Sequence, residues 1–150
     1  MADKANILII EARFYEDIGD ALLNGAVKAL DEAGATHTRI SVPGCFEIPA
    51  ALSLSLEAAA SGLAPAFDGY VLLGCVIRGE TSHYDIVAVQ SARAVMDLSV
   101  AHGLALGNGI LTVENEDQAW ARAKIGEQDK GGGAARAALA MVALKRGLGL

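Results

Sequence analysis

Residues 74–85 read GCVIRGETSHYD and join a strand to a helix within twelve positions. The apolar run that ends at Ile77 is typical of a buried strand, a turn follows at 78–79, and a helical pattern begins at 81. The first N–H groups of such a helix lack intrahelical partners and carry partial positive charge, so the turn can hold an anion. His83 follows in the first helical turn. An anion-binding turn beside a proton carrier predicts chemistry on a phosphorylated small molecule.

Strand and helix patterns alternate along the rest of the chain. Continuous or alternating apolar residues predict four strands, at 7–10, 37–42, 70–77 and 104–113. The second is predicted to be half exposed at a sheet edge, and the fourth is interrupted by Gly107-Asn108-Gly109. Helical spacing predicts five helices, at 18–33, 49–60, 83–101, 116–124 and 134–146. This alternation is typical of an α/β fold in which a four-stranded parallel sheet lies between two layers of helices.

The unusual residues of the chain follow the predicted strands. Phe14 comes after the first strand, 43–47 after the second and 78–83 after the third, while Asn108 is placed near the end of the fourth. In open parallel sheets, ligands bind beyond the carboxyl ends of the strands, near the point where strand order reverses. The sequence therefore predicts that all four clusters lie on one rim of the sheet and form a ligand site there.

The composition predicts one domain, 1–150, that associates with copies of itself. Hydrophobic residues make up 53% of the chain and charged residues only 20%. When the 17 glycines are counted as apolar, the apolar fraction of the chain is well above the roughly 45–50% of average domains. A monomer of this length has little interior for so much apolar surface. We therefore expect a buried interface in a homo-oligomer.

Charge and cysteine content exclude several classes of protein. The net charge is −6 and no basic run occurs, which argues against nucleic acid as a partner. The two cysteines give no disulfide framework and fit a reducing, cytoplasmic environment. Residues 1–6 lack a signal-peptide charge pattern, and no apolar run reaches the length of a membrane span.

Three blocks of sequence carry a specific resemblance to a known family. Residues 42–49, VPGCFEIP, resemble the Pro-Gly-x-Phe-Glu-Ile-Pro motif of the 6,7-dimethyl-8-ribityllumazine synthases, and 74–85 is similar to their Val-Ile-Arg-Gly-x-Thr-x-His-x-Asp motif. Residues 109–122, GILTVENEDQAWAR, resemble their third block at matching spacing, and 130–131 continues it. The resemblance runs over nearly the whole chain.

The resemblance implies that the fold is a flavodoxin-like three-layer sandwich. It also implies that the protein is a transferase that catalyses the penultimate step of riboflavin synthesis. Such an enzyme condenses 5-amino-6-(D-ribitylamino)uracil with 3,4-dihydroxy-2-butanone 4-phosphate and uses no metal or cofactor. The implied assembly is a pentamer or a multiple of it, with riboflavin synthase as a candidate partner protein.

The resemblance also implies roles for individual residues. Phe14 corresponds to the aromatic residue that stacks on the pyrimidine ring, and a loop phenylalanine that fills the core is the alternative. The ribityl chain is assigned to Cys45, Phe46 and Glu47, although a carboxylate at a helix start also complements the helix dipole. Backbone groups at the end of the third strand contact the uracil edge, and on sequence alone these residues are core: Cys75, Val76 and Ile77.

The remaining roles concern phosphate and protons. Glu80 and Thr81 correspond to the turn whose N–H groups hold phosphate, and Arg122 to a phosphate-binding arginine that could otherwise be a solvated helix partner. His83 is the predicted catalytic residue, because an imidazole can give and take a proton near neutral pH; a structural or solvated histidine is the alternative. Lys130 corresponds to a lysine near the ligand.

Three positions depart from the commonest pattern of the family. Tyr15 replaces an asparagine, Val89-Gln90 replaces an Asn-Glu pair, and Asn108 replaces a phenylalanine that contacts the substrate rings. A flavin-storage protein of the same fold would keep the aromatic residues without needing His83 or Arg122, and a shell protein that has lost catalysis is another alternative. A flavodoxin is disfavoured, because 12–16 is not a hydroxyl-rich phosphate loop.

Overall fold

Four parallel strands form the single sheet of the computed structural model, which describes residues 4–150. The first three residues of the N-terminal segment discussed above lie outside the described residues. The sheet order is β2-β1-β3-β4, and the strands are β1 Asn6–Ala12, β2 Thr36–Val42, β3 Gly69–Ile77 and β4 Leu106–Val113. All three strand pairs are parallel, so the predicted four-stranded parallel sheet is confirmed.

Helices cover both faces of this sheet. They are α1 Glu16–Glu32, α2 Ile48–Ala60, α3 His83–His102, α4 Glu116–Ala123 and α5 Lys130–Gly147, and a short 3₁₀ turn, Cys45–Glu47, precedes α2. One core lies between the sheet and α1, α4 and α5. A second core lies between the sheet and the 3₁₀ turn, α2 and α3. The predicted flavodoxin-like three-layer arrangement is therefore confirmed.

Burial along the strands follows from their position in the sheet. In β3 every residue from Gly69 to Val76 is buried, because helices cover both faces of this central strand. β2 is an edge strand, as predicted, but six of its seven residues are exposed, more than the half that the alternating pattern predicts. Glu11 of β1 is an exception to the apolar interior, with only 2% of its surface exposed.

The structure corrects the prediction at two glycine-rich segments. β4 runs without interruption through 107–109, and α5 begins at Lys130, one turn before the predicted start at Ala134. Both errors have one cause, which is close backbone packing. A Cβ atom on Gly107 would collide with the carbonyl group of Ala134, and a Cβ atom on Gly131 would collide with that of Leu22. These glycines allow α5 to lie directly on β4 and α1 rather than ending the elements that contain them.

The order of the strands fixes where a ligand can bind. The chain passes from β1 outward to β2 and then returns to the other side of β1 to form β3, so strand order reverses between β1 and β3. The loops that leave β1 and β3 diverge at this point and leave a crevice at the carboxyl ends of the strands. Within residues 4–150, no helix combines the length and the apolar character needed to cross a membrane.

Candidate functional site

A cavity of about 530 Å³ lies at this reversal point, and we call it the rim cavity. Loops that follow β1, β2 and β3 form its walls. Of the predicted site residues, nine line the cavity together: Phe14, Cys45, Phe46, Glu47, Cys75, Val76, Ile77, Thr81 and His83. Residues that are distant in sequence are thus brought to one place, as the rim prediction requires.

Phe14 presents an aromatic face at one wall of the rim cavity. Its side chain is 73% exposed, so it does not fill the core, and its ring meets the ring of Tyr15 edge-on, with 5.0 Å between centroids and 76° between planes. Because most of this residue is exposed, its ring has surface available to stack on a planar ligand. Tyr15 is half-buried and packs against the core, and burial raises the pKa of its phenol.

The 3₁₀ turn after β2 supplies a second wall. Gly74 of β3 has no side chain, and a Cβ atom there would lie 2.5 Å from the Cys45 Sγ atom, so the glycine makes room for this turn. Glu47 ends the turn at the start of α2, half-buried and facing the cavity. The turn therefore places a carboxylate beside an apolar surface.

The two cysteines of the rim cavity are neutral thiols. Burial raises the pKa of Cys45 to about 12, and a hydrogen bond with the backbone of Cys75 offsets this only in part. Burial also raises the pKa of Cys75 to about 12. Since the thiolate is the nucleophilic form of cysteine, neither residue is suited to nucleophilic catalysis near neutral pH.

The end of β3 lines the rim cavity with a backbone edge that has no strand partner. Pairing between β1 and β3 ends at Leu73, whereas β3 stays paired with β4 as far as Ile77. Among the described strands, residues 74–77 therefore have a partner on one side only. On the side where β1 no longer pairs with them, their backbone N–H and C=O groups form no hydrogen bonds to another strand. These groups are suited to bind the edge of a polar ring.

The turn between β3 and α3 brings helix N–H groups and His83 to the same cavity. His83 is the first residue of α3, and its N–H group donates to the Thr81 Oγ1 atom at 3.3 Å. Thr81 lines the cavity, whereas Glu80 is exposed and does not. The carboxylate of Glu80 thus lies away from the position where an anion would bind.

Arg78 holds this turn in place. Its Nε atom donates to the Glu114 Oε2 atom at 2.7 Å, its Nη2 atom lies 3.3 Å from the Asp85 Oδ1 atom, and its guanidinium carbon lies 4.2 Å from the centre of the Tyr84 ring. These contacts join the start of α3 to the end of β4. Tyr84 also lines the rim cavity; the sequence analysis missed its role, although it lies within the motif that contains His83.

Asn108 and Arg122 are not in the rim cavity. They line a separate hollow of about 450 Å³ at the open edge of the sheet, which we call the edge hollow, together with Thr112 and Lys130. Asn108 pairs with Leu72 in the first half of β4, and its side chain accepts a hydrogen bond from the N–H group of Ile110 at 2.9 Å. The prediction that Asn108 lies near the end of the fourth strand, on the same rim as the other clusters, is therefore wrong.

Hydrogen bonds in the first turns of α4 fix the position of the Arg122 side chain. Asn115 caps this helix by accepting from the N–H group of Gln118 at 2.9 Å, and the Gln118 side chain accepts from the N–H group of Glu114 at 2.8 Å. This reciprocal capping fixes the first turn of α4. One turn later, the Arg122 Nη1 atom donates to the Gln118 carbonyl group at 3.0 Å and holds the side chain along the helix.

The two sites differ in charge. The rim cavity contains Glu47 and His83, whereas the edge hollow contains the cations Arg122 and Lys130. Within residues 4–150, no group of three or more histidine, cysteine or acidic side chains is placed to hold a metal ion. A phosphorylated ligand in the rim cavity of one chain would thus meet helix N–H groups but neither of these two cations.

Fold and site together define a class of protein, the doubly wound α/β proteins that bind a small molecule at the strand-order reversal. The chain matches the 6,7-dimethyl-8-ribityllumazine synthase family over residues 4–146. It belongs to that family.

Several relatives support this assignment over nearly the whole chain. A 6,7-dimethyl-8-ribityllumazine synthase 1 of Rhizobium meliloti is 63% identical over 96% of this chain and 94% of its own. A 6,7-dimethyl-8-ribityllumazine synthase of Agrobacterium fabrum is 58% identical over 97% of this chain and 98% of its own. The family predicted from the three sequence blocks is thus confirmed.

Proposed function

We propose that this chain is a transferase that makes 6,7-dimethyl-8-ribityllumazine from 5-amino-6-(D-ribitylamino)uracil and 3,4-dihydroxy-2-butanone 4-phosphate, the penultimate step of riboflavin synthesis. The observation that carries the proposal is the meeting of Phe14, Glu47 and His83 in one rim cavity, although they come from three separate loops. Family membership supports the same reaction.

The uracil substrate fits the apolar half of the rim cavity. The exposed face of Phe14 stacks on the pyrimidine, and the free backbone edge of 75–77 binds the polar edge of that ring. Glu47 accepts hydrogen bonds from the ribityl hydroxyl groups, with Cys45 and Phe46 packed beside the chain of carbons. Phe46 is 54% exposed and has surface available for this contact.

The butanone phosphate occupies the turn at the start of α3. The N–H groups of Glu80 and Thr81 lie just before a 20-residue helix, whose backbone dipoles favour an anion at this end. Arg122, contributed by a neighbouring copy of the chain, supplies the charge-assisted contacts that this turn lacks.

The chemistry is a series of proton transfers between two substrates held in register. The uracil amine attacks the butanone carbonyl group and forms an imine with loss of water, and inorganic phosphate then leaves by β-elimination. The resulting enol becomes a carbonyl group, which the second amine attacks, and loss of a second water closes the ring. His83 gives and takes protons in these steps, while binding makes the encounter of the two substrates local.

The complete site forms between two neighbouring copies of the chain in a ring-shaped oligomer. On one face of α3, four large apolar side chains are exposed, opposite the buried Val87 and Val95: Ile86, Val89, Met96 and Val100. A monomer would leave this stripe in water. We assign it to an interface that places Asn108 and Arg122 of one copy at the rim cavity of the next, in a pentamer or a multiple of it. A cytoplasmic location and an association with riboflavin synthase complete the proposal.

One assay tests the proposal. Both substrates are mixed with the protein without added metal or nucleotide, and the fluorescent lumazine is followed. We expect lumazine and inorganic phosphate to appear in equal amounts, faster than in a protein-free control. Wild-type protein that binds both substrates but does not raise the rate would contradict the proposal and would favour storage or scaffolding.

A further inference from the structure

Glu11 is a buried carboxylate with no part in the steps above. Its Oε1 atom accepts from the Ser41 hydroxyl group at 3.1 Å and from the Arg13 Nη1 atom at 3.2 Å. Its Oε2 atom is buried and has no hydrogen-bond partner within the described part of the chain. Burying a carboxylate is costly, and a buried ion pair often gives no net stability compared with apolar side chains. Stability alone therefore does not explain why β1 carries a charge here.

Arg13 connects this carboxylate to α1. Besides Glu11, its guanidinium contacts the Asp20 carboxylate and, at 3.4 Å, the Glu16 carbonyl group. The side chain lies along Gly19, where an added Cβ atom would already be 3.6 Å from Nη1. The planar fork of Arg13 thus joins the end of β1 to the first two turns of α1, across the loop between them.

Phe14 is the residue immediately after this connection. The residue is 73% exposed, and within residues 4–150 its ring makes one aromatic contact, with Tyr15. Since so little packing holds the ring itself, its position depends on the backbone on either side. Arg13 fixes that backbone before Phe14, and the half-buried Tyr15 fixes it after. A ring held in place before binding avoids part of the entropy cost of ordering it in the complex.

We propose that Arg13, anchored by Glu11 and Asp20, is a positioning residue that holds the Phe14 ring ready to stack on the uracil substrate. The inference rests on the proposed function for the identity of that substrate. It predicts that removing the ion pair weakens binding of the ring-bearing substrate without removing the fold.

Kinetics on a matched set of variants test the role. Glu11→Leu with Arg13→Met removes both charges and so leaves no buried charge unpaired. We expect KM for the uracil substrate to rise roughly threefold to tenfold, with KM for the butanone phosphate and the thermal midpoint little changed. Arg13→Lys keeps the positive charge but lacks the planar guanidinium group. Its KM for the uracil substrate should lie between those of the double variant and wild type. Lys28→Gln, which removes an exposed ion pair of α1, is the control. An equal rise in both KM values would overturn the proposal.

A second measurement is independent of activity. Trp120 is the only tryptophan of the chain, so a Trp120→Phe, Phe14→Trp background reports the mobility of the ring at position 14 by time-resolved fluorescence anisotropy. Adding Arg13→Lys or the double change should increase fast ring motion, while Lys28→Gln should not. Unchanged ring motion overturns the positioning role. Greater ring motion in these variants, together with a wild-type protein that makes no lumazine, supports that role and contradicts the proposed function instead.

Discussion

The rim cavity and the edge hollow differ in how the chain builds them. Three strand ends that converge at the reversal point surround the rim cavity, which contains aromatic rings, a carboxylate and an imidazole. The edge hollow lies along the open side of β4 and contains two cations. The rim cavity has a proton carrier but lacks the two cations, and the edge hollow has the cations but lacks a proton carrier. Chemistry on a phosphorylated substrate uses both. This difference supports the proposal that a second copy of the chain completes the site.

The largest effect is expected in the rim cavity. His83→Ala should lower kcat by roughly 10²–10⁴-fold, the usual contribution of a general acid–base residue, unless the groups of the substrates themselves carry the protons. His102→Ala, at the other end of α3, is the matched control and should change kcat little. Steady-state lumazine formation measures both. Equal losses in the two variants would mean that α3 as a whole, and not the imidazole of His83, is needed.

A smaller and more selective effect is expected in the edge hollow. Arg122→Ala should raise KM for the butanone phosphate about 10- to 100-fold and leave KM for the uracil substrate nearly unchanged, because a charge-assisted contact to phosphate is lost. Inorganic phosphate should compete with the butanone phosphate in wild type and less well in the variant. Arg39→Ala, on the exposed strand β2, is the control. If both KM values rise together, Arg122 supports the fold rather than the ligand.

Glycine-to-alanine changes in the two regions should alter the free energy of unfolding in opposite directions. Gly74→Ala places a Cβ atom 2.5 Å from the Cys45 Sγ atom and should destabilise the rim region by about 1–3 kcal/mol. Gly133 lines the edge hollow, and a Cβ atom added to it would point into open space. Gly133→Ala should stabilise α5 by up to about 1 kcal/mol. Chemical denaturation measures both, and the same sign for the two changes would contradict the packing described for Gly74.

The smallest effect concerns the thiols of the rim cavity. Folding raises the pKa of Cys45 and Cys75 to about 12 from an ordinary 9.0, so the folded state keeps both protons more tightly. Their contribution to stability is intact below pH 9 and is lost as the pH rises towards 12, by about 1 kcal/mol per thiol at pH 10. Denaturation curves at pH 8 and pH 10 should show this loss, and Cys75→Ala should reduce it. A variant with the same pH dependence as wild type would exclude Cys75 as a cause.

Much of the rim cavity could be predicted from the sequence, because its residues immediately follow strands. The apolar run of β3 and the start of α3 at His83 are local patterns, and the parallel sheet then brings loops after β1, β2 and β3 to one rim. Tyr15 and Tyr84 were missed as cavity residues, although they directly follow Phe14 and His83, because the sequence does not show which side chains turn into the cavity at a helix start.

The edge hollow was predicted less well, since local signals there conflict with tertiary packing. Glycine usually weakens strands and helices, so the sequence predicts an interruption at 107–109 and a last helix that begins only after 131–133. Both segments are regular in the structure, and Gly107 lies against α5 at Ala134. The register that follows places Asn108 beside Leu72 rather than at the carboxyl end of β4. No pattern within one segment reveals a contact of this kind.

Co-expression of His83→Ala and Arg122→Ala chains tests most directly whether two copies share one site. Each variant alone forms sites that all lack one of the two residues. In a ring assembled at random from equal amounts of both chains, about one quarter of the sites would combine an intact His83 with an intact Arg122 from the next chain. We therefore predict activity near one quarter of wild type, well above either variant alone. Mixed oligomers that are confirmed by native mass spectrometry, yet show only the mean activity of the two separate variants, would contradict the shared site.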